Sequence, residues 1–455
     1  METDIEAFEI KMREAGLNED VVNTFIKYYN QLREGNSGKL SHDVIEAPNR
    51  LNLINYDTLT KQDDMLLDQL VVIKLNGGLG TSMGLDKAKS LLPVKGEMTF
   101  LDILANQILT LRDKYKSRIP LIFMNSFKTR EDTLNHLASY KALKSKDLEL
   151  DFLQNKYPRI RQDNFLPLDF EDDDENWNPP GHGDIYSSLH SSGLLDKLIS
   201  KGYEYAFISN SDNLGAVIDP LILTYMARQN IPFIMEVCRR TEMDKKGGHL
   251  AQTKDGKLIL REVAQCPEEE SEEFQDIKKY SFFNTNNLWI NLKQLNKVLL
   301  ENNNHVNLPL IINPKLVGDI PVYQIETAMG AAISVFEDAK AIVVPRSRFA
   351  PVKKTNDLLL IWSDVYKLNS DYQIVLTEGL EKAPIIELDA EYYKTVEQLK
   401  THFKEVPSLI QCNSLKVKGN IHFSKDVVIV GDVVIESHEK ERISDTIINN
   451  EEVIF

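Results

Sequence analysis

"VVIKLNGGLGTSMGLDKAKS" (residues 71–90) places four glycines, Gly77, Gly78, Gly80 and Gly84, and two lysines, Lys87 and Lys89, directly behind the apolar run Val71-Val72-Ile73. A strand that empties into a glycine-rich turn lets backbone N–H groups approach a phosphate. Three loop chemistries compete here with a plain tight turn. A Walker A loop needs Gly followed by Lys and Ser/Thr, but Gly84 is followed by Leu85. A dinucleotide fingerprint needs GxGxxG. The spacing Gly78-x-Gly80-x-x-x-Gly84 is one residue too long, and the next strand ends at Asn125 instead of an acid. A nucleotidyltransferase loop wraps a nucleoside triphosphate and carries a lysine soon after its glycines, and Lys89 suits it.

Outward from this loop, strands alternate with helices. "IPLIFMNS" (119–126), "YAFISN" (205–210), "PFIMEV" (232–237) and "KAIVVP" (340–345) read as strands. Helical patterns lie in "TFLDILANQILTLRDKYK", where Thr99 and Asp102 resemble a capping box, and in "DPLILTYMARQ". This alternation predicts an α/β fold with a mostly parallel sheet. Asp255-Gly256 in "QTKDGKLIL" signals an antiparallel hairpin. Ahead of the sheet, residues 1 to about 34 read as two helices. After about residue 370, short Val/Ile strands with Gly419 and Gly431 at turns suggest coils of a β-helix or a small β-sheet cap. The acidic "DFEDDDENWNPPGHG" (169–183) and the charged "QCPEEESEEFQDIKK" read as solvated loops, and Trp289 and Tyr323 as core.

The bulk numbers narrow the field. The chain has 455 residues, 42% of them apolar, enough for two or three domains with large cores. A net charge of −16 argues against nucleic acid as a partner and requires any anionic ligand to find a local basic site. The three cysteines, Cys238, Cys266 and Cys412, form no CxxC and give neither a disulfide framework nor a zinc site. No signal peptide and no membrane-length apolar run is read, so a cytoplasmic location is expected.

Seven blocks together carry a resemblance: "LNGGLGTSMG", "PPGHGDIY", "SNSDNLGA", "EVCRRTEMDKKGGHLA", "SFFNTNNLWINL", "ETAMGAAI" and "VPRSRFAPVK". In this order, from Leu75 to Lys353, they resemble the signature blocks of the UTP–glucose-1-phosphate uridylyltransferases, with weaker similarity to about Gly431. "MGLDKAKS" departs from the form common in animal and plant members and is closer to protozoan ones, as is "RSRFAPVK".

The resemblance implies a Rossmann-like nucleotidyltransferase domain and a C-terminal left-handed β-helix-like domain. It divides the chain at 1–55 (helical segment), 56–370 (catalytic domain) and 371–455. It implies uridylyl transfer from UTP to glucose 1-phosphate, giving UDP-glucose and pyrophosphate with Mg2+. Leu75, Asn76, Gly77 and Gly78 would present backbone groups to the nucleotide. Lys89 would neutralise the departing pyrophosphate and Lys353 would reach the sugar phosphate, work that suits a mobile point charge. Asp212, at a strand's carboxyl end, would hold the metal. Gln154 matches the uracil-reading glutamine. Gly181 and His182 would approach phosphate or ribose, and Asn210 ribose or sugar. Gly248, Glu262 and Asn284 or Asn286 fall in the sugar-side blocks.

The rivals are a relative specific for galactose 1-phosphate or N-acetylglucosamine 1-phosphate, an NAD(P)-dependent oxidoreductase, and an inactive binding protein. The early stop at "INNEEVIF" leads to the expectation of a monomer with no membrane or nucleic-acid partner.

Overall fold

The computed structural model describes residues 2–455, with side chains from Asp4 onward. Helices α1 (Glu2–Glu14) and α2 (Glu19–Arg33) come first. The Asn18 side chain caps α2 by accepting the N–H of Asp20. Val22, Phe25 and Tyr29 on its apolar face pack with Phe8, Tyr157, Trp177 and Ile325, which fastens the helical pair to the body.

The body is built from β1 (Leu70–Asn76), α3 (Phe100–Tyr115), β2 (Leu121–Asn125), β3 (Tyr205–Asn210), α4 (Pro220–Arg228), β4 (Phe233–Arg239), β5 (Phe282–Asn291), β6 (Lys340–Val343) and α5 (Thr355–Trp362). The sheet runs Ile54–Asn55, β6, β4, β5, β3, β1, β2, Asp151–Leu153. β1 lies parallel to both β3 and β2, and β6 parallel to β4. β5 alone on this path is antiparallel to its two neighbours, β3 and β4. The expected mostly parallel α/β fold is observed.

β1 shows why its sequence opens on the apolar run Leu70–Ile73 without an alternating polar row. Val71, Ile73 and Leu75 enter the core on one face, and Leu70 and Val72 enter the core on the other. A strand covered on both sides has no solvent-facing row to make polar. α3 begins where predicted. Thr99 Oγ1 accepts the N–H of Asp102 at 3.1 Å, and Asp102 Oδ2 accepts the N–H of Thr99 at 2.8 Å. The Asp255-Gly256 hairpin also forms, pairing His249–Thr253 with Leu258–Arg261.

Three sequence expectations need correction. The two charged segments are only partly solvated. Trp177 and Asn178 form a short buried strand against Tyr157–Pro158, and Glu270 and Phe274 are buried because the fully buried Arg261 requires Glu270 as its counter-ion. Tyr323 is half-buried, whereas Trp289 is fully buried as expected. Gly431 is not at a turn between strands but inside one. Its φ of +70°, open to glycine without strain, makes a corner in β8 (Val427–Glu436). Residues 427–430 pair with 446–449, and residues 432–436 pair with 414–418 of β7 (Cys412–Lys418).

All the pairings among Ile385–Leu388, β7, β8, Thr446–Asn449 and Glu452–Ile454 are parallel. Leu415, Val417, Val433 and Ile435 share one core with Leu358 and Leu359 of α5 and with Met83 of the glycine loop, Leu214 and Val352. The C-terminal strands are therefore packed onto the loops that carry several of the singled-out residues. Among the described residues, no helix is long and apolar enough to cross a membrane.

Candidate active site

Open α/β sheets bind ligands beyond the carboxyl ends of their parallel strands, and the singled-out residues collect there. Asn76 ends β1 and staples three segments. Its Nδ2 donates to Asn125 Oδ1 at 2.8 Å and to Thr133 Oγ1 at 2.8 Å, and its Oδ1 accepts from Ser211 Oγ at 2.9 Å. The side chain is thus spent on structure. The backbone that follows is the accessible part, since a Cβ on Gly78 would meet nothing within 4 Å.

The glycine loop folds back so that Lys89 N–H donates to Gly78 O at 3.1 Å. That return places Lys89 Nζ 2.6 Å from Asp212 Oδ2, in the loop after β3. Asp212 O accepts the N–H of Val352 at 3.1 Å, so Lys353 follows directly on a strap tied to the Asp212 loop. Lys353 is exposed. Its backbone N–H and that of Lys354 donate to Asp357 Oδ2 at 2.8 and 2.9 Å. Burial raises the Asp357 pKa, opposed by these bonds and by the charges of Lys353 and Lys89. Three segments distant in sequence thus converge on one charged cluster.

On one flank, Gln154 donates from Nε2 to Gly181 O at 3.0 Å. Gly181 has φ +77°, and a Cβ there would lie 2.5 Å from Thr327 O. The partly exposed ring of His182 accepts the N–H of Met329 on Nδ1 at 2.9 Å. Burial lowers its pKa to about 4, so the ring is neutral near pH 7. With Nδ1 accepting, the proton sits on Nε2, which is left as a donor.

On the other flank the pairing of β4 with β5 shifts register between Met235 and Val237, and Asn286 takes φ +58°. Such a bulge re-aims side chains. Asn284 Nδ2 donates to Asn286 Oδ1 at 2.7 Å, and Asn286 N–H donates to Asn284 Oδ1 at 2.9 Å. Asn284 N–H also bonds Gly248 O at 3.2 Å. A Cβ on Gly248 would come within 2.4 Å of Glu262 Oε2, so glycine is what lets that carboxylate lie there. Burial raises the Glu262 pKa and the charge of Lys353 pulls it down, which ties this flank to the central cluster. Asn210, half-buried at the end of β3, makes no side-chain hydrogen bond among the described residues.

Sequence reasoning missed the buried layer that holds these loops. Glu236 on β4 accepts from Arg348 at 2.5 and 2.7 Å, from Trp289 Nε1 at 2.8 Å and from Asn287 Nδ2 at 3.0 Å. Asn213 Nδ2 reaches Asn287 Oδ1 at 3.2 Å, and its own Oδ1 accepts the N–H of Ala350 at 2.8 Å. Asp357 was missed as well. A signal existed, because Glu236 is the one ionisable residue in the apolar "PFIMEV". A charge at such a position needs a buried partner.

For a metal, the chemistry of the donors is specific. Asp212 Oδ1 is buried and has no hydrogen-bond partner. Among the described residues, no three His, Cys, Asp or Glu side chains converge as a metal site. One free hard oxygen fits a cation that completes its shell with phosphate oxygens and water, and does not fit a closed structural site.

A sequence profile described as UTP–glucose-1-phosphate uridylyltransferase matches residues 22–430. The enzyme of that name from Hordeum vulgare is 42% identical over 421 residues, covering 90% of this chain and 88% of its own. A UDP-glucose phosphorylase of Trypanosoma brucei superposes with a TM-score of 0.92 at 45% identity, covering 100% of both chains. A variant of the Leishmania major UDP-glucose pyrophosphorylase, solved with UDP-glucose, superposes with a TM-score of 0.95 at 42% identity, covering 100% of this chain and 99% of its own. The chain belongs to the UTP–glucose-1-phosphate uridylyltransferase family.

Proposed function

We propose that the protein transfers the uridylyl group of UTP to glucose 1-phosphate. A phosphate oxygen of the sugar phosphate attacks the α-phosphorus, the bond from that phosphorus to the bridging oxygen breaks, and pyrophosphate leaves with the bonding pair. The observation that carries this reading is the Lys89–Asp212 pair at the carboxyl end of β3, with one Asp212 oxygen uncommitted, in a chain of this family. Positioning and electrostatics supply the catalysis, with no covalent enzyme intermediate.

Each residue has a role its surroundings allow. Gly77 and Gly78 admit the nucleotide against backbone. Lys89 spends one ammonium hydrogen on Asp212 and has two left for phosphate oxygens. Lys353, exposed on its Asp357-fixed strap, meets the sugar phosphate and the α-phosphate. His182 donates from Nε2 to a phosphate or ribose oxygen. The Gln154 amide offers a donor and an acceptor to the uracil edge. Asn210, Gly248, Glu262 and the Asn284–Asn286 pair face the sugar hydroxyls. Asp212 Oδ1 would hold Mg2+, which when bound neutralises triphosphate charge.

We further infer that residues 371–455 form a left-handed β-helix-like domain behind a catalytic domain of about 56–370 and a helical segment of 1–55. The wholly parallel pairing of the C-terminal strands supports this division.

The test supplies UTP, Mg2+ and one sugar 1-phosphate at a time and follows nucleotide-sugar formation by 31P NMR. UDP-glucose from glucose 1-phosphate is expected. A preference for galactose or N-acetylglucosamine 1-phosphate would move the specificity, and no nucleotide sugar from any of them would overturn the reaction.

A further inference from the structure

The opposite end of the sheet holds a basic cleft of about 420 Å³, lined by Arg112, Arg118, Lys144, Lys146 and Lys201 around a single carboxylate, Asp147. Its location separates it from the site above. Ile119 and Pro120 lead into β2, Tyr203 into β3, and Asp68, whose carbonyl holds Arg118, into β1. These are the amino ends of the strands whose carboxyl ends carry Asn76 and Asp212. The length of β1 at ~3.3 Å per residue puts roughly 20 Å between the two ends.

The cleft is built rather than a chance gathering of lysines. Arg112 donates to Ile119 O at 2.7 Å, Ala142 O at 2.7 Å and Leu143 O at 3.2 Å. Arg118 donates to Asp68 O at 3.1 Å and Lys201 O at 3.1 Å, with its guanidinium 4.7 Å from the Tyr203 ring centre. Neutral carbonyls fix both guanidiniums without cancelling their charge. A guanidinium has five N–H donors, so two remain free on Arg112 and three on Arg118. Asp147 pairs with Lys201 at 3.1 Å, and Asp68 Oδ1 is occupied by the N–H of Arg118 at 2.9 Å. Lys144 and Lys146 are exposed, and neither has an ion pair or a side-chain hydrogen bond among the described residues. In a chain of net charge −16, this surplus of cations stands against the overall field.

We propose that this cleft is a second anion site that binds a compact, multiply phosphorylated group, whether a free small molecule or a lipid headgroup. Planar guanidiniums held in place match phosphate oxygens, and the two mobile lysines close over the remaining charge.

The experiment titrates myo-inositol hexakisphosphate into the full-length protein by calorimetry with the catalytic site saturated by UDP-glucose. In parallel, it measures binding to phosphatidylcholine vesicles containing phosphatidylinositol bisphosphate. The variants are Lys144→Glu/Lys146→Glu and a control of equal charge change at distant exposed positions, Lys400→Glu/Lys440→Glu. The expected result is binding that persists under UDP-glucose, weakens as salt rises, falls at least tenfold in the cleft variant and is kept in the control. Binding to the free hexakisphosphate assigns a soluble ligand, and binding to vesicles alone assigns a headgroup. The proposal is overturned by binding to neither probe, by displacement with UDP-glucose, or by equal loss in both variants.

Discussion

Two carboxylate–cation pairs belong to the same sheet, one from the middle of β4 and one from the loop after β3, and they are finished differently. Glu236–Arg348 is fully closed, because both Glu236 oxygens are bonded and Trp289 and Asn287 add their donors. Lys89–Asp212 is as short, at 2.6 Å, yet its side chains are 15% and 22% exposed and Asp212 Oδ1 is left without a partner. The first pair's carboxylate has no oxygen left for a ligand, and the pair serves to hold loops. The second retains an acceptor and two ammonium hydrogens, which is what binding a cation and a polyphosphate requires. An unspent carboxylate oxygen, more than charge itself, separates the pair proposed to work from the one that holds loops.

The comparison can be broken in order of expected effect. Glu236→Gln leaves the buried Arg348 with only the longer contact to Asp219, at 3.6 Å, as counter-charge, and should cost about 3 kcal/mol of stability. Urea unfolding measures it, and a loss under about 1 kcal/mol would mean the network is not load-sharing as described. Lys89→Ala should leave the unfolding midpoint nearly unchanged while lowering kcat about 10²- to 10³-fold, because only the transferring phosphates use its free donors. Equal losses of stability in the two variants would erase the distinction drawn between the pairs. Asp357→Ala removes the acceptor that fixes the Lys353 strap and caps α5, and should cost about 1 kcal/mol. It should also raise KM for glucose 1-phosphate, and an unchanged KM would place Lys353 away from the sugar phosphate.

A separate test sharpens the contrast by pH. Lys74, in the middle of β1, is fully buried with its ammonium on Ser209 Oγ and Ala216 O, and burial lowers its pKa from 10.5 to about 7. Between pH 7 and 10.5 the unfolded chain binds a proton at Lys74 that the folded chain gives up. This group's contribution to stability therefore rises with pH across that window and is flat below it. Lys74→Met should flatten the slope of unfolding free energy against pH from 7 to 10, and an unchanged slope would show that Lys74 keeps its proton when folded.

The sequence made legible what depends on local pattern. β1, α3 with its Thr99–Asp102 cap, and the glycine loop with Lys89 could all be read from neighbouring residues. The closed network could not, because Glu236 and Arg348 are 112 residues apart and nothing local pairs them. The asparagine register was also hidden. The bulge at Asn286 breaks the two-residue period that would otherwise say which of Asn284–Asn287 faces the crevice. Nor does any spacing rule show that a Cβ on Gly84 would press at 3.0 Å on Thr395, over 300 residues onward, where the C-terminal part meets the glycine loop.

The most direct test of the central claim is pyrophosphate release from UTP and glucose 1-phosphate with Mg2+, compared between the wild-type protein and Asp212→Asn. The substitution keeps the shape and removes the charge at the uncommitted oxygen. The account predicts rapid release by the wild type, and a fall of about 10²- to 10³-fold in the variant with its melting temperature within a few degrees. An Asp212→Asn protein as active as the wild type would contradict it.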